Sequence, residues 1–400
     1  MDLKIVLENV GPFGSEYSVT LPQRAVLLGD NGAGKTTLMN ALRISSNLSQ
    51  LDVGGKDPAA AYKAAWQNLL APGETAGKVR VNETSVSISS SKRPTKDGDL
   101  QLWFVVDEVE AAIRGGDDRR LVFLAEHFLG DNDLESGTVR ELLASWKRVK
   151  RELAAESKRV SAYESALGTL ATLASPGGDA SAVTSLAGAA EWVYHKVEGN
   201  PVSVKCPLCA NPGVDSANVE QRLAKIRRLQ EKMGVGVPAP VISLLTHAIG
   251  ASRAHHTALK AQAALARETV ATAVRKIQHR IKERVNVWVK AAKLDLVFAL
   301  DIDGAHVSMG LADEEGPIEH ASGGQWTVLK LALAAAISSP GRGKGSPVLV
   351  APDRALSPRT VGGIMRMLGR YGGNAYIPTV VGRRGRVAKA WKQVEVSSGD

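Results

Sequence analysis

The sequence is poor in aromatic residues, in cysteine and in long apolar runs. Aromatic residues make up 4% of the 400 residues, which argues against a surface on which the bases of a single strand would stack. Two cysteines are too few for a disulfide framework. The longest apolar helix candidate, Val328 to Ile337, contains Lys330 and is too short to cross a bilayer. The first ten residues alternate like a strand and show no signal peptide, so we expect a cytoplasmic protein that does not enter a membrane.

The composition is otherwise that of a globular chain with an excess of positive charge. Hydrophobic residues make up 44% of the sequence and charged residues 23%, so we expect a folded chain rather than a disordered one. The length allows two or three domains. The 50 Lys and Arg residues exceed the 41 Asp and Glu residues and give a net charge of +9, which favours an acidic partner such as nucleic acid.

A glycine-rich segment near the start predicts a phosphate-binding loop. The run RAVLL (24–28) indicates a buried strand, GDNGAGKTT (29–37) follows, and a helix pattern comes next, which is the context of the phosphate-binding motif G-x-x-x-x-G-K-[ST]. Gly29, Gly32 and Gly34 are expected to adopt dihedrals closed to other residues, so that loop N–H groups and the helix N-terminus hold the β- and γ-phosphates of a nucleotide. The alternative is a glycine-rich turn without a ligand.

The loop residues receive separate roles. Lys35 brings a positive charge to the phosphates and is the first candidate catalytic residue, and the Thr36 hydroxyl is a predicted ligand of Mg²⁺. The predicted nucleotide contacts of this loop are Gly29, Asn31, Gly32, Ala33, Gly34, Lys35, Thr36 and Thr37.

A second motif lies more than 280 residues downstream. Ser322, Gly323, Gly324 and Gln325 precede TVLKLALAAAI, which is apolar at helical spacing, so Ser322 is a candidate N-cap. Together with the phosphate loop, this segment resembles the signature motif of ABC-type ATPases. The resemblance implies that Ser322, Gly323, Gly324 and Gln325 contact the γ-phosphate of ATP held by a second subunit, because a helix N-terminus faces an anion there.

The opening MDLKIVLENVGPFGSEYSVTL resembles the hairpin that precedes the phosphate loop in the SMC, RecF and SbcC branch of that family. The resemblance implies an α/β ATPase head assembled from residues 1–134 and 293–400, with an antiparallel coiled-coil arm inserted at 135–292. It also implies a homodimer, and it leaves room for a nuclease or effector subunit as a further partner.

Heptad spacing supports the inserted arm. Nine of ten positions are apolar in the series Val139, Leu142, Trp146, Val149, Leu153, Glu156, Val160, Tyr163, Leu167 and Leu170, which is the pattern of a coiled-coil seam. A single amphipathic helix on a globular core is the alternative. The outgoing helix is predicted over residues 135–173 and a return over 241–292, where the apolar face comprises Val270, Val274, Ile277, Ile281, Val285 and Trp288.

The segment VKCPLCANP lies between the two predicted helices. Cys206 and Cys209 have the spacing with which two thiolates bind one metal ion. In the SbcC-like branch a similar motif at the arm tip meets its copy from another subunit, which implies a shared Zn²⁺. A site within one chain that uses His195, and cysteines that are structural or redox-active, remain open alternatives.

Basic clusters on both predicted helices suggest contact with the phosphates of duplex DNA. The outgoing helix carries Lys147, Arg148, Lys150 and Arg151, and the returning helix carries Arg275, Lys276, Arg280, Lys282 and Arg284. Solvated faces of a coiled coil are the alternative.

The hydrolytic residues of the family are not found where the resemblance puts them. Val350 and Ala351 occupy the two positions at which the family has Asp and Glu, and Asp353, the second candidate catalytic residue, follows three positions late. Ser357 replaces the Asp of the next turn. The segment 375–386 lacks the expected His, and Glu126 lies where a glutamine is expected.

We therefore expect an ATP-binding protein of the SMC/SbcC type that acts on DNA in repair, recombination or defence, with hydrolysis in doubt. A non-hydrolysing structural or scaffold dimer is the alternative. An ABC-type transport ATPase is disfavoured by the heptad insert.

Overall fold

The computed structural model describes residues 2–46, 69–92, 94–135, 137–171, 239–303, 306–313, 315–338, 346–351, 356–379 and 389–397. The chain divides into two compact units. The first unit combines Met1–Asp133 with Ala271–Asp400, and the second unit is Leu134–Val270. Residues 206–209, His195 and Asp353 lie outside the described ranges.

The described residues form a mixed α/β protein. Its strands are β1 (Leu3–Glu8), β2 (Tyr17–Leu21), β3 (Arg24–Leu28), β4 (Ala76–Val81), β5 (Thr84–Ser89), β6 (Thr95–Asp97), β7 (Leu102–Phe104), β8 (Val297–Asp303), β9 (His306–Asp313), β10 (Gly316–Pro317), β11 (Ser346–Val350), β12 (Asn374–Thr379) and β13 (Lys392–Glu395). Its α-helices are α1 (Lys35–Ser46), α2 (Val105–Arg114), α3 (Asp117–Phe128), α4 (Val139–Ala171), α5 (Ala239–Lys276), α6 (Gln278–Ala291), α7 (Gly323–Ile337) and α8 (Pro358–Leu368).

A five-stranded parallel sheet organises the first unit, in the order β13-β3-β12-β11-β7. Four of the five residues of β3 are buried, and every residue of β12 is buried, as expected for strands covered on both faces. Thr379 pairs with Leu28, and Val350 pairs with Tyr376. Because parallel strands end at the same edge of a sheet, the loop after β3 and the ends of β12 and β11 meet there, where α/β proteins bind ligands.

An antiparallel sheet, ordered β2-β1-β4-β5-β6, packs against α1 on one side of the parallel sheet. In β1, Leu3, Ile5 and Leu7 are buried and alternate with more exposed residues, which is the pattern of a strand with one face in the core. Their cluster includes Leu38 and Leu42 of α1. A third, three-stranded sheet has the order β10-β9-β8.

Helix α7 is buried over its whole length after the first turn, from Thr327 to Ile337. A helix that is apolar all round belongs in the interior of a domain. Its one charged side chain, Lys330, is buried and forms an ion pair with Glu110 of α2 at 3.1 Å. The burial confirms the helix predicted from TVLKLALAAAI.

The two core helices lie on opposite faces of the parallel sheet. Val348 and Val350 of β11 belong to the cluster that contains α1. The intervening Leu349 is buried outside that cluster, as are the buried residues of α7, which packs against β11. Since alternate residues of a strand point to opposite faces, α1 and α7 cover different faces of the sheet.

The second unit contains α4 and most of α5. Each predicted seam position of α4 from Val139 to Tyr163 is buried or half-buried. The unit ends at Val270, so the face predicted for the returning helix, from Val274 to Trp288, lies in the first unit instead. No helix within the described ranges is long and apolar enough to cross a membrane.

Candidate nucleotide site

The segment between β3 and α1 forms the loop that the sequence predicted. It leaves the parallel sheet at Gly29, and α1 begins at Lys35. Gly32 has φ = 89° and Gly34 has φ = 95°, a region that side-chain-bearing residues rarely adopt. Asp30, Asn31 and Gly32 are exposed. The loop is therefore open to solvent at the carboxyl edge of the sheet.

The three glycines are required for different reasons. Gly32 needs only its positive φ, since a Cβ there would meet no atom within 4 Å. Gly34 needs its φ and also the space, because a Cβ would lie 2.4 Å from Cζ of Phe13. Gly29 has no positive φ, but a Cβ there would lie 2.5 Å from the carbonyl oxygen of Val396. The prediction that Gly29 also needs a special dihedral is therefore wrong, and close approach to the segment after β13 explains this glycine.

Lys35 is buried within the loop. Its Nζ donates hydrogen bonds of 2.9 Å to the carbonyl oxygens of Gly29 and Asp30, and 3% of the residue is exposed. The Ala33 amide donates to the Asp30 carbonyl at 3.1 Å. The ammonium is thus held at the centre of the loop by two carbonyl groups that carry no formal charge, and neither of these two acceptors among the described residues is a carboxylate.

The turn between β1 and β2 closes over the loop, a contact that the sequence analysis did not identify. Phe13 packs on Gly34, and a Cβ on Gly11 would lie 2.5 Å from the Thr37 side chain. The ring of Tyr17 stacks on Phe13 with centroids 4.2 Å apart, and burial raises the pKa of the Tyr17 hydroxyl. In a chain with so few aromatics, the spacing of Phe13 and Tyr17 in the hairpin was the available signal.

The second motif forms the N-terminus of α7. The Ser322 hydroxyl accepts a hydrogen bond from the Gln325 amide at 3.3 Å, and the Ser322 amide donates to Oε1 of Gln325 at 2.6 Å. This capping box confirms Ser322 as the N-cap. Ser322 and Gly323 are exposed, so the positive end of α7 faces solvent. A Cβ on Gly324 would lie 3.1 Å from Oγ1 of Thr360 in α8, the helix that Ser357 caps.

The end of β11 carries no carboxylate. Val350 and Ala351 are buried, and the Ala351 amide donates to the Tyr376 carbonyl at 2.9 Å. At the end of the neighbouring β12 lies Thr379, whose buried hydroxyl has no hydrogen-bond partner among the residues that the structure describes. Glu126 lies inside α3 and is exposed. The residues that follow β7 directly form the first turn of α2. Glu126 therefore does not lie at the end of that strand.

The basic residues fall into two groups with different surroundings. In the first unit, Arg275 donates to the Ile302 carbonyl, Arg280 pairs with Asp133 at 2.6 Å and Arg284 lies over the Phe128 ring. These three contacts are internal to that unit, and the hydrogen bond from Arg280 lowers the pKa of Asp133. In the second unit, all four side chains of the α4 cluster are exposed, namely Lys147, Arg148, Lys150 and Arg151.

No protein-family model and no curated protein matches the sequence. Among solved structures, the chain is similar to an Smc head domain with an extended coiled coil from Pyrococcus furiosus, which was crystallised bound to the C-terminal domain of ScpA. The sequences are 11% identical, the TM-score is 0.48, and the match covers 100% of this chain and 94% of that chain.

A second similar structure is the Smc head domain with a coiled coil and joint from Pyrococcus yayanosii. It has 13% identity, a TM-score of 0.41 and coverage of 95% of this chain and 92% of that chain. Both TM-scores lie below 0.5.

The loop geometry fits a triphosphate and part of a magnesium site. Gly32 and Gly34 have the positive φ values of loops in which backbone N–H groups can face an anion, and Lys35 supplies a central cation. Thr36 is exposed in the first turn of α1, where its hydroxyl would be one ligand of Mg²⁺. Within the described ranges, β11 offers no acidic side chain at the position where the resemblance puts the second ligand.

Proposed function

We propose that this chain is an ATP-binding protein of the SMC/SbcC type, whose heads dimerise on ATP and which acts on DNA in repair, recombination or defence. The observation that carries the proposal is the loop from Gly29 to Lys35 at the carboxyl edge of a parallel sheet, with an ammonium group at its centre. The head would comprise residues 1–133 and 271–400, and residues 134–270 would form an antiparallel coiled-coil arm, which ends before the boundary at 292 expected from the sequence.

Each part of the loop has a role in nucleotide binding. The amides from Asn31 to Thr37, other than that of Ala33, which donates to the Asp30 carbonyl, would donate to the β- and γ-phosphates at the N-terminus of α1. Lys35 would exchange its two carbonyl acceptors for phosphate oxygens, to which its charge gives the stronger hydrogen bonds. The Tyr17 ring, stacked on Phe13 beside Gly34, would supply a flat surface for the base.

The nucleotide site would be completed by a second copy of the chain, through its Ser322, Gly323, Gly324 and Gln325. Two facts support a site shared between subunits. The N-terminus of α7 is exposed and capped, so it is preformed for an anion outside its own helix. Helices α1 and α7 cover opposite faces of the sheet, so the two motifs of one chain begin helices on different sides of it.

DNA contact is proposed for the exposed basic residues of α4. The cluster at 147–151 projects four positive side chains from the third and fourth turns of the helix. Their neighbours on the chain include Glu152, whose carboxylate lies 3.9 Å from Arg148. Phosphate contacts of this kind confer affinity without sequence preference, and binding would weaken steeply with salt.

A second candidate function is a dimer in which ATP acts as a latch and is not hydrolysed. It is favoured by the apolar end of β11, where buried Val350 and Ala351 can neither hold Mg²⁺ through water nor polarise an attacking water. Asp353 would then be the remaining candidate for the catalytic carboxylate. Phosphate release measured beside the Lys35→Ala variant distinguishes the two functions: release at the rate of that variant supports the latch, and release well above it supports an ATPase.

Zinc binding is proposed for Cys206 and Cys209, shared between two copies of the chain. A nuclease or effector subunit is proposed as a further partner, and the cytoplasm as the compartment.

The nucleotide proposal itself is tested by isothermal titration calorimetry with ATP and Mg²⁺. One molecule bound per chain in the wild type and none with Lys35→Ala is the expected result, and equal binding by both would refute it.

A further inference from the structure

The apolar seam of the second unit is interrupted at one place. Among its described residues, two buried side chains are polar, Glu156 of α4 and Ser252 of α5. The Ser252 hydroxyl donates to Oε1 of Glu156, so the two buried polar groups satisfy each other across the helix pair. The other buried side chains there are apolar, namely Leu143, Trp146, Val149, Ala162, Tyr163, Ala248, Ile249, Leu259 and Val270.

The rest of the Glu156 carboxylate is also satisfied. Oε2 of Glu156 accepts a hydrogen bond of 2.9 Å from Nη1 of Arg159 on the same helix and lies 3.5 Å from Nδ1 of His255 on α5. A buried carboxylate with donors on both oxygens is tolerated, whereas one without donors is strongly unfavourable. The cost of burying Glu156 therefore depends on the residue that faces it.

We propose that Glu156 and Ser252 fix the axial alignment of α4 and α5. Two helices joined by apolar heptads could slide by seven residues and still bury apolar side chains. The residues one heptad before and after Ser252 are Leu245 and Leu259. A leucine side chain has no hydrogen-bond donor for the Glu156 carboxylate. One heptad from Glu156 stands Val149 or Tyr163, and both are buried. The observed alignment is the one that pairs the two polar groups.

The exposed ion pair between Arg253 and Glu164 cannot replace this function. Its side chains are 64% and 43% exposed, and such pairs contribute little because water competes for both partners. Long, solvated side chains can also re-pair after a shift. After a shift the Glu156 carboxylate would keep Arg159, which lies on its own helix, but Oε1 would lose the Ser252 hydroxyl, and a buried acceptor without a donor is unfavourable.

The test uses the full chain with a spin label at Lys158 on α4 and another at Lys260 on α5, both exposed. The labels are attached to unnatural ketone-bearing residues, so that both native cysteines are kept. A slip of one heptad moves the helices by about 10 Å along their axes. Double electron–electron resonance should give one narrow distance between the two labels in the wild type. The double variant Glu156→Leu, Ser252→Leu should show additional distances, displaced by up to about 10 Å.

Two further variants keep the result decisive. Glu152→Leu changes an exposed glutamate on the same helix and should leave one distance. The exchange of Glu156→Ser with Ser252→Glu restores a buried pair and should also give one distance, which covers the case in which the leucine variant fails to fold. A single, unchanged distance in the folded leucine variant would overturn the proposal, as would several distances in the exchange variant.

Discussion

Gly32 and Gly34 offer a matched pair of substitutions that separates backbone strain from packing in the phosphate loop. Both have a positive φ, but a Cβ on Gly32 meets nothing within 4 Å, whereas a Cβ on Gly34 would lie 2.4 Å from Phe13 and 2.8 Å from Pro12. Strain at such a φ costs about 1–3 kcal/mol. Overpacking adds about 1–3 kcal/mol, because Phe13 is buried under Tyr17 and cannot easily move aside.

We therefore expect Gly32→Ala to lower the free energy of unfolding of the first unit by about 1–3 kcal/mol and Gly34→Ala by about 2–6 kcal/mol. Urea titration followed by circular dichroism measures both. Gly34→Ala should also weaken ATP binding more, since Phe13 can be accommodated only if the loop amides move. Equal losses of stability in the two variants would refute the role assigned to Phe13. A Phe13→Ala background is the control, because it removes the contact with Phe13 and leaves the one with Pro12, so it should narrow the difference between the two variants.

The remaining predictions concern the base, the DNA and the metal. Tyr17→Ala should weaken ATP binding about 5- to 10-fold, in line with about 1–1.5 kcal/mol for one aromatic contact, and should leave inorganic triphosphate binding unchanged, which titration of both ligands checks. Alanine at Lys147, Arg148, Lys150 and Arg151 should reduce the magnitude of the slope of log affinity for duplex DNA against log salt by about 3.6. The Lys147→Arg, Lys150→Arg variant keeps the charge and should not change this slope. Zinc should be present at about half an equivalent per chain if two copies share one ion, and Cys206→Ser should remove it, which elemental analysis measures.

The features that could be read from the sequence are those set by local chemistry. The strand–loop–helix around Lys35 and the N-cap at Ser322 follow from residue types at fixed spacings, and the structure places both as predicted. The seam of α4 could be read for the same reason, including the position of Glu156 within it.

Features that depend on packing between distant parts of the chain could not be predicted from the sequence. The need for glycine at position 29 arises from Val396, which is far along the chain. Heptad spacing from Val274 to Trp288 showed that one face is buried, but that face packs in the first unit, since periodicity does not name the surface against which a helix packs. The donor for Glu156 comes from Ser252 on another helix, and a single serine carries no signal of this pairing.

The most direct test of the shared nucleotide site is complementation between two variants, measured by sedimentation velocity with ATP and Mg²⁺. Lys35→Ala removes the cation of the loop and keeps the α7 N-terminus. Ser322→Asp keeps an N-cap acceptor but places a negative charge where the γ-phosphate of the second copy would lie. Both variants carry Cys206→Ser as well, so that two copies cannot share zinc, and each variant alone should then stay monomeric. Their mixture should form dimers, because one of its two sites combines an intact loop with an intact α7. Dimers of either variant alone, or none in the mixture when the wild type dimerises, would contradict a site shared between two copies.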